Sequence, residues 1–167
     1  DVRLSFRQGN TLQNTAMREW LAKKINHMDA ASPVLELFCG AGNFTAVLAE
    51  HFASVHGVEG DEAAVDALKR LQLGGVSAEA KNLFDPAVVD TLVRRQSNTQ
   101  ILVIDPPRDG LKVRQPLLKR LRKLHTVLYI SCDLATWARD CADFAAHGLT
   151  VSEVQPLDMF PQTPHVE

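Results

Sequence analysis

Three side chains with distinct chemistry follow short apolar runs of the kind that form buried strands. Cys132, Asp105 and Gly40 each stand within two residues of the end of such a run. A cysteine thiolate is a nucleophile, a carboxylate accepts hydrogen bonds, and a glycine lets a ligand approach the backbone closely. If the three runs end at one edge of a sheet, the sequence predicts nucleophilic chemistry beside a bound ligand.

Cys132 is the candidate nucleophile. A helical pattern over Leu134–His147 begins just after it, and the start of a helix lowers the pKa of a thiol and favours the thiolate. An isolated cysteine is more often a core residue, but the position after a strand favours a nucleophile here. Cys141 falls inside the helical pattern and is interpreted as a small buried apolar residue, and Cys39 as packing beneath the first loop.

The first loop, LELFCGAGNF, suggests a nucleoside site. Gly40 and Gly42 allow a tight turn, and Glu59, at the end of the next apolar run, is placed to accept hydrogen bonds from a ribose diol. A dinucleotide fingerprint would need a third glycine where Thr45 stands, so a nucleoside without a diphosphate, such as S-adenosylmethionine, fits better. The alternative is a plain glycine turn with Glu59 exposed.

The stretch ILVIDPPRDG predicts a stiff loop, because two prolines fix the backbone after Asp105. The carboxylate of Asp105 would be held rigidly beside Arg108, and the alternative is a surface turn that carries an Asp–Arg pair. Basic residues crowd this loop and the helix predicted after it: Arg108, Lys112, Arg114, Lys119, Arg120, Arg122 and Lys123. They could contact phosphates or form a solvated helix face, and the sequence leaves both interpretations open.

An alternating array of strands and helices must position these loops. Strands are predicted at Val34–Phe38, Ser54–Glu59, Val76–Lys81, Ile101–Ile104, Val127–Ser131 and Leu149–Val154. Helices are predicted at Thr11–Met28, Asn43–Phe52, Glu62–Leu73, Ala87–Gln96 (opened by Asp85–Pro86), Pro116–Leu124 and Leu134–His147. This alternation predicts an α/β fold, with a doubly wound, mostly parallel Rossmann-like sheet whose ligands bind beyond the carboxyl ends of the strands.

The composition is that of one globular domain. The 167 residues are 46% hydrophobic and 23% charged with a net charge of -2, so any nucleic-acid affinity must come from a local patch. Three cysteines without a CxxC pair argue against a zinc site and a disulfide framework. No apolar run is long enough to span a membrane and the first residues do not form a signal peptide. We therefore expect a cytoplasmic protein without a metal, and a monomer is favoured.

Taken together, the motifs resemble the RNA (uracil-5-)-methyltransferase family, which makes 5-methyluridine in ribosomal and transfer RNA. The matching stretches are FRQGN, LELFCGAGNF, VEGD, KNLF, IDPPRDG, YISCD with ARD beyond it, and DMFPQTPHVE, in that order from Phe6 to Glu167. The DMFPQT ending favours the ribosomal-RNA branch. The resemblance implies that residues 1–167 are an S-adenosylmethionine-dependent methyltransferase catalytic domain with an RNA substrate.

The resemblance also implies roles for individual residues. Cys132 would be the nucleophile, and Glu167 would be the base that removes a proton from C5 of uracil, although its proline-rich tail could equally be frayed. Arg108 is a candidate donor to O4 of the uracil or to a nearby phosphate. The residues that would line the S-adenosylmethionine site, with the turn of Gly40 and Gly42, are Gln8, Phe38, Asn43, Glu59, Asn82 and Asp105.

Three features depart from the family pattern. The family usually has asparagine and proline where this chain has Asp133 and Leu134. A carboxylate beside the thiol opposes thiolate formation, unless Asp133 instead caps the helix. The family's N-terminal RNA-binding parts, some with an iron–sulfur cluster, are not in the sequence, and its final strand is expected to be missing, as in an excised or truncated domain.

Other interpretations remain open at this point. A non-catalytic remnant that binds S-adenosylmethionine or RNA is the main alternative, favoured by Asp133 and by the length of the chain. An amino-group methyltransferase is less favoured, because Arg108 stands where the Asp-Pro-Pro motif of those enzymes has an aromatic residue. A nicotinamide oxidoreductase is least favoured, because Thr45 replaces the third glycine.

Overall fold

The computed structural model describes residues 11–157, in which one parallel sheet carries helices on both faces. Within that range the strands are β1 Val34–Leu37, β2 Val55–Glu59, β3 Val76–Ala80, β4 Ile101–Ile104 and β5 Thr126–Tyr129. The helices are α1 Thr11–Ile25, α2 Thr45–His51, α3 Glu62–Arg70, α4 Pro86–Arg95, α5 Arg114–Arg120 and α6 Leu134–Ala146. The strands lie in the order β3-β2-β1-β4-β5, which confirms the predicted doubly wound α/β fold.

The central strands are apolar along most of their length because helices cover both of their faces. Every residue of β1 and β4 is buried. Val34 joins a core with α1 and α2, whereas Leu35 and Leu37 join the opposite core with α4, α5 and α6. Burying a leucine side chain fully contributes roughly 1.5–3 kcal/mol, so this alternation fixes which face each helix covers.

Aspartate caps fix the start of three helices and therefore the loops before them. Asp61, Asp85 and Asp133 precede α3, α4 and α6 and accept hydrogen bonds from amides of the first turn at 2.8, 2.9 and 2.8 Å. Pro86 is the first residue of α4, as predicted, where its missing N–H is not needed. The loops before these three helices, which follow β2, β3 and β5, therefore end at defined residues.

The strand predicted at Leu149–Val154 is wrong. The chain forms no strand there: Leu149 packs against one core and Leu157 against the other, while Val151 and Val154 between them are 54% exposed. Within Leu149–Val154 only Leu149 packs against a core, so the alternating apolar residues there do not form a buried face. β5 is therefore the last strand on its side of the described sheet.

The other predicted elements differ from the observed ones only at their ends. α2 begins at Thr45 rather than Asn43, because the glycine turn occupies the residues before it. α5 begins at Arg114, so that Pro116 lies in its first turn, where no intrahelical partner is required for an N–H. Within residues 11–157, no helix combines the length and the apolar character that crossing a membrane requires.

Candidate active site

The carboxyl ends of the strands bring the predicted site residues to one edge of the sheet. In strand order, Asn82 follows β3, Glu59 ends β2, Phe38 follows β1, Asp105 follows β4 and Cys132 follows β5. Neighbouring strands lie about 4.8 Å apart, so the row from Asn82 to Cys132 spans roughly 20 Å. The ladder between β4 and β5 continues one residue past β5, because the N–H of Ile130 donates to the carbonyl of Ile104 at the end of β4, at 2.9 Å. The loops that carry Asp105 and Cys132 therefore start side by side.

Glu59 holds the glycine turn in place. Its Oε2 accepts a hydrogen bond from the Gly40 N–H at 3.0 Å, and its Oε1 accepts from the N–H groups of Gly60 and Asp61 at 2.6 and 3.1 Å. A carboxylate has about four acceptor positions. Three of them serve the backbone, so one is left for a ligand hydroxyl.

The two glycines of the turn have different surroundings. Gly40 and Gly42 have φ angles of +52° and +97°, a region that glycine enters without strain. A Cβ on Gly42 would lie 2.6 Å from Cδ1 of Leu68, whereas a Cβ on Gly40 would meet nothing within 4 Å. The turn is therefore pressed against α3 at Gly42 and open at Gly40, where a ligand can approach the backbone.

Asn43 is held from behind by α1. Arg18 Nη1 donates to the Asn43 carbonyl at 2.7 Å, and the side-chain amides of Asn14 and Asn43 donate to each other at 2.8 and 3.2 Å. No sequence pattern marks Arg18 or Asn14 for this role, because helical periodicity does not reveal which loop a polar face will contact.

Two phenylalanines line the same edge. The ring centroids of Phe38 and Phe84 are 6.0 Å apart, and the Phe84 side chain is 52% exposed. The Nζ of Lys112 lies 6.0 Å from the Phe84 ring centroid. An exposed ring of this kind can stack on a flat base. The KNLF motif contains Phe84, but only its exposure beside Phe38 makes it a candidate site residue.

A buried carboxyl group lies beneath the turn. Glu36 is 2% exposed in the middle of β1, and the hydroxyl of the buried Thr45 donates to its Oε2 at 2.6 Å. Burial raises the pKa of Glu36 to about 8, the hydrogen bond from Thr45 lowers it, and the nearby Asp105 raises it. Glu36 is therefore mostly protonated at neutral pH. Thr45, which occupies the place of a third glycine, has a packing and hydrogen-bonding role instead.

Cys132 is half-buried and directly precedes the residue that caps α6. That residue, Asp133, accepts a hydrogen bond from the Thr136 N–H, and this bond holds the pKa of its carboxyl below the usual value. The predicted capping role of Asp133 is confirmed. Burial raises the pKa of the Cys39 and Cys141 thiols, which disfavours a thiolate at either position.

Acidic residues of neighbouring helices neutralise part of the basic stretch. Within the described residues, the ion pairs are Lys112–Asp109 at 2.8 Å, Arg114–Asp140 at 2.7 Å, Arg114–Asp143 at 2.5 Å and Arg120–Asp90 at 2.9 Å. Leu117 and Leu121 of the same stretch are buried. The stretch is thus packed and partly ion-paired but also carries exposed basic side chains, namely Lys119, Arg122 and Lys123, and Arg108 is exposed at the sheet edge.

Residues 1–76 and 88–167 match the family model described as tRNA (uracil-5-)-methyltransferase. The chain belongs to this family. It is 39% identical over 163 residues to an uncharacterized RNA methyltransferase of Nitrosomonas europaea, a match that covers 97% of this chain and 42% of the relative. It is 36% identical over 170 residues to the 23S rRNA (uracil(1939)-C(5))-methyltransferase RlmD of Pseudoalteromonas translucida, covering 98% of this chain and 37% of the relative.

A solved structure shows the same relationship within the uracil-5-methyltransferase family. It is the Pyrococcus abyssi tRNA (uracil-54, C5)-methyltransferase in complex with S-adenosyl-L-homocysteine, with a TM-score of 0.75 and 25% identity. The match covers 98% of this chain and 38% of that chain. The chain therefore spans less than half the length of the relatives that it matches.

Two of the predicted site residues, Gln8 and Glu167, lie outside the described residues. Their roles in this member of the uracil-5-methyltransferase family stay predictions. Among residues 11–157, no three His, Cys, Asp or Glu side chains come together in a way that could hold a metal ion.

Proposed function

We propose that this chain is the catalytic domain of an enzyme that methylates C5 of uridine in RNA, with S-adenosylmethionine as the methyl donor and ribosomal RNA as the favoured substrate. The row of strand ends carries the proposal, because it gathers the Glu59-bound turn and the loops of Asp105 and Cys132 at one edge of the sheet. Membership of the uracil-5-methyltransferase family supports the reaction, and the relatives named for 23S rRNA support the substrate.

The centre of this edge fits a nucleoside ligand. Glu59 has one acceptor position left for a ribose hydroxyl, Gly40 is open towards a ligand, and the rings of Phe38 and Phe84 are flat apolar surfaces. When bound, S-adenosylmethionine supplies an electrophilic methyl group on its sulfonium. The residues proposed to hold it are Gln8, Phe38, Gly40, Gly42, Asn43, Glu59, Asn82 and Asp105, with Phe84 as an addition.

Cys132 is proposed to start the chemistry. Its thiolate adds to C6 of uracil, the C5–C6 double bond opens into an enolate, and C5 becomes nucleophilic enough to accept a methyl group. A hydrogen-bond donor near O4 would stabilise the enolate, and the exposed Arg108 at the same edge is the candidate. Glu167 then removes the C5 proton, and elimination of the Cys132 thiolate restores the double bond. The uridine must leave its stack to reach this site.

Release of tritium tests the proposed reaction. RNA that carries [5-³H]uridine is incubated with S-adenosylmethionine and the full-length polypeptide that contains this chain. One tritium should be released for each methyl group incorporated. Methyl transfer without tritium release would indicate another position, such as an amino group. Binding of S-adenosylmethionine without transfer would support the non-catalytic alternative.

Replacing Glu59 with glutamine is expected to weaken S-adenosylmethionine binding about tenfold, the magnitude of one charge-assisted hydrogen bond. The glutamine side chain keeps one acceptor oxygen, so the backbone donors of the turn and the ribose hydroxyl would compete for it. Isothermal titration with S-adenosylmethionine measures the change. Glu62→Gln, at an exposed position in the first turn of α3, is the matched control. Equal affinities of the two variants would contradict the ribose-binding role of Glu59.

A further inference from the structure

One face of α6 contacts the backbone of the loop that follows β4. Thr136, Arg139 and Asp140 lie on neighbouring turns of the helix, at the spacing that puts side chains on one face. The Thr136 hydroxyl lies 3.0 Å from the carbonyl oxygen of Arg108, Arg139 Nη2 donates to the Asp109 carbonyl at 3.0 Å, and the Leu111 N–H donates to Asp140 Oδ2 at 2.6 Å. We refer to Thr136, Arg139 and Asp140 as the α6 clamp.

Asp140 is the centre of the clamp. Its side chain is 0% exposed, so its charge must be compensated inside the protein. Oδ1 accepts from Arg139 Nε at 2.8 Å and lies 2.7 Å from Arg114 Nη1, while Oδ2 accepts from the Tyr129 hydroxyl at 2.6 Å as well as from the Leu111 amide. One carboxylate thereby joins the β4 loop, α5, α6 and the end of β5.

The loop is shaped to fit the clamp. Gly110 has a φ of +72°, and a Cβ there would lie 2.6 Å from Arg139 Nη2, 2.7 Å from Asp140 Oδ2 and 3.0 Å from Thr136 Cβ. Only glycine allows so close an approach in this backbone conformation. The loop at Gly110 and the clamp residues of α6 are therefore closely packed against each other.

The clamp also reaches the loop that carries Cys132. The Thr136 N–H donates to Asp133 Oδ1 at 2.8 Å, and the Thr136 hydroxyl lies 3.0 Å from the same oxygen. Asp133 is the residue after Cys132. One threonine therefore contacts both the backbone of Arg108 and the cap beside the nucleophile.

We propose that Thr136, Arg139 and Asp140 are positioning residues for the reaction, which hold the Asp105–Gly110 loop in register with the Cys132 loop. The inference rests on the proposed function. Asp105 itself is anchored separately, because its N–H donates to the Leu37 carbonyl at 3.4 Å. Loosening the clamp should therefore disturb the uracil side of the site, where Arg108 and Cys132 lie, more than the cofactor side.

Thr136→Val tests the clamp, because valine keeps the shape of threonine and removes the hydroxyl. In the full-length polypeptide, the rate of covalent complex formation with 5-fluorouridine RNA should fall roughly tenfold to a hundredfold, the usual effect of misplacing reacting groups by a fraction of an ångström to one ångström. The affinity for S-adenosylmethionine and the melting temperature should stay near wild type. Amide hydrogen exchange of Leu111 should become faster in Thr136→Val. Thr136→Ser, which keeps the hydroxyl, should restore the rate of covalent complex formation.

Thr91→Val is the matched control, since the Thr91 hydroxyl donates only to the Ala87 carbonyl of its own helix, on the exposed surface of α4. Asp140→Asn leaves Arg114 and Arg139 with a neutral partner at a buried position and should unfold more easily, so the deciding variant is the one at the half-buried Thr136. If Thr136→Val matches Thr91→Val in rate and in Leu111 exchange, the inference is wrong. It is also wrong if cofactor affinity and melting temperature fall in parallel with the rate, because that pattern indicates a purely structural role.

If the wild type forms no complex, the proposed function fails, and Leu111 exchange in the two variants still tests the clamp.

Discussion

Replacing Cys132 with alanine is expected to lower methyl transfer by roughly 10⁴-fold or more, as loss of a covalent nucleophile does in other enzymes. The same variant should form no covalent complex with 5-fluorouridine RNA. In the wild type, Sγ adds at C6 and C5 then takes up the methyl group. The fluorine that remains at C5 cannot be removed by a base, so the thiolate is not eliminated and the complex is trapped. Without the sulfur, uracil C5 stays a poor nucleophile towards the methyl donor.

Denaturing gel electrophoresis and intact mass detect the trapped complex. Cys141→Ala should form it as the wild type does, because burial in α6 raises the pKa of that thiol and it has no role in the proposed chemistry. A complex that persists in Cys132→Ala would refute the mechanism.

Glu167→Gln should behave in the opposite way, with the methylated adduct accumulating on ordinary uridine because the C5 proton is not removed. Unchanged turnover of that variant would exclude Glu167 as the base.

Replacing Glu36 with glutamine is expected to stabilise the protein progressively as the pH rises. In the folded state the Glu36 pKa is about 8, against a usual value of 4.5. Between these two values the folded state binds a proton that the unfolded state releases, so the free energy of unfolding falls as the pH rises through this window. Glutamine keeps an acceptor for the Thr45 hydroxyl and does not titrate. The difference between variant and wild type should therefore grow by something on the order of a few kcal/mol from pH 5 to pH 8.

Urea unfolding at a series of pH values measures this difference. The matched control is Glu50→Gln, because it makes the same exchange at a glutamate on the exposed side of α2. A Glu36→Gln difference that is constant from pH 5 to pH 8 would show that the buried carboxyl does not hold its proton in the folded state.

The central sheet and its loops were predictable because β1 and β4 are short apolar runs that end at residues with distinct chemistry. Local pattern is sufficient there, since a strand covered on both faces must be apolar along most of its length. The same rule applies to Glu36. It predicts that a glutamate inside the run VLEL is buried and that burial raises its pKa. Leu149–Val154 shows the limit of the rule, because two of its alternating apolar residues, Val151 and Val154, are exposed rather than buried.

What sequence patterns do not reveal are the contacts between distant elements. Arg120 pairs with Asp90, and Asp140 accepts the Leu111 amide, across about thirty residues in each case. These partners depend on how helices pack on the sheet, and periodicity identifies only the buried face. The cap formed by Asp133 is a different case, because its bond to Thr136 spans only three residues and the sequence already allowed this interpretation beside the opposing one.

The α6 clamp recognises main-chain atoms of the β4 loop, namely the carbonyls of Arg108 and Asp109 and the amide of Leu111. The side chains of Arg108 and Asp109 are exposed and do not form these bonds. They can therefore be exchanged while the loop keeps these bonds, whereas Gly110 is constrained by its close contacts and Leu111 by its burial in the core. The exposed side chains of this loop can therefore vary on a scaffold whose geometry stays constant.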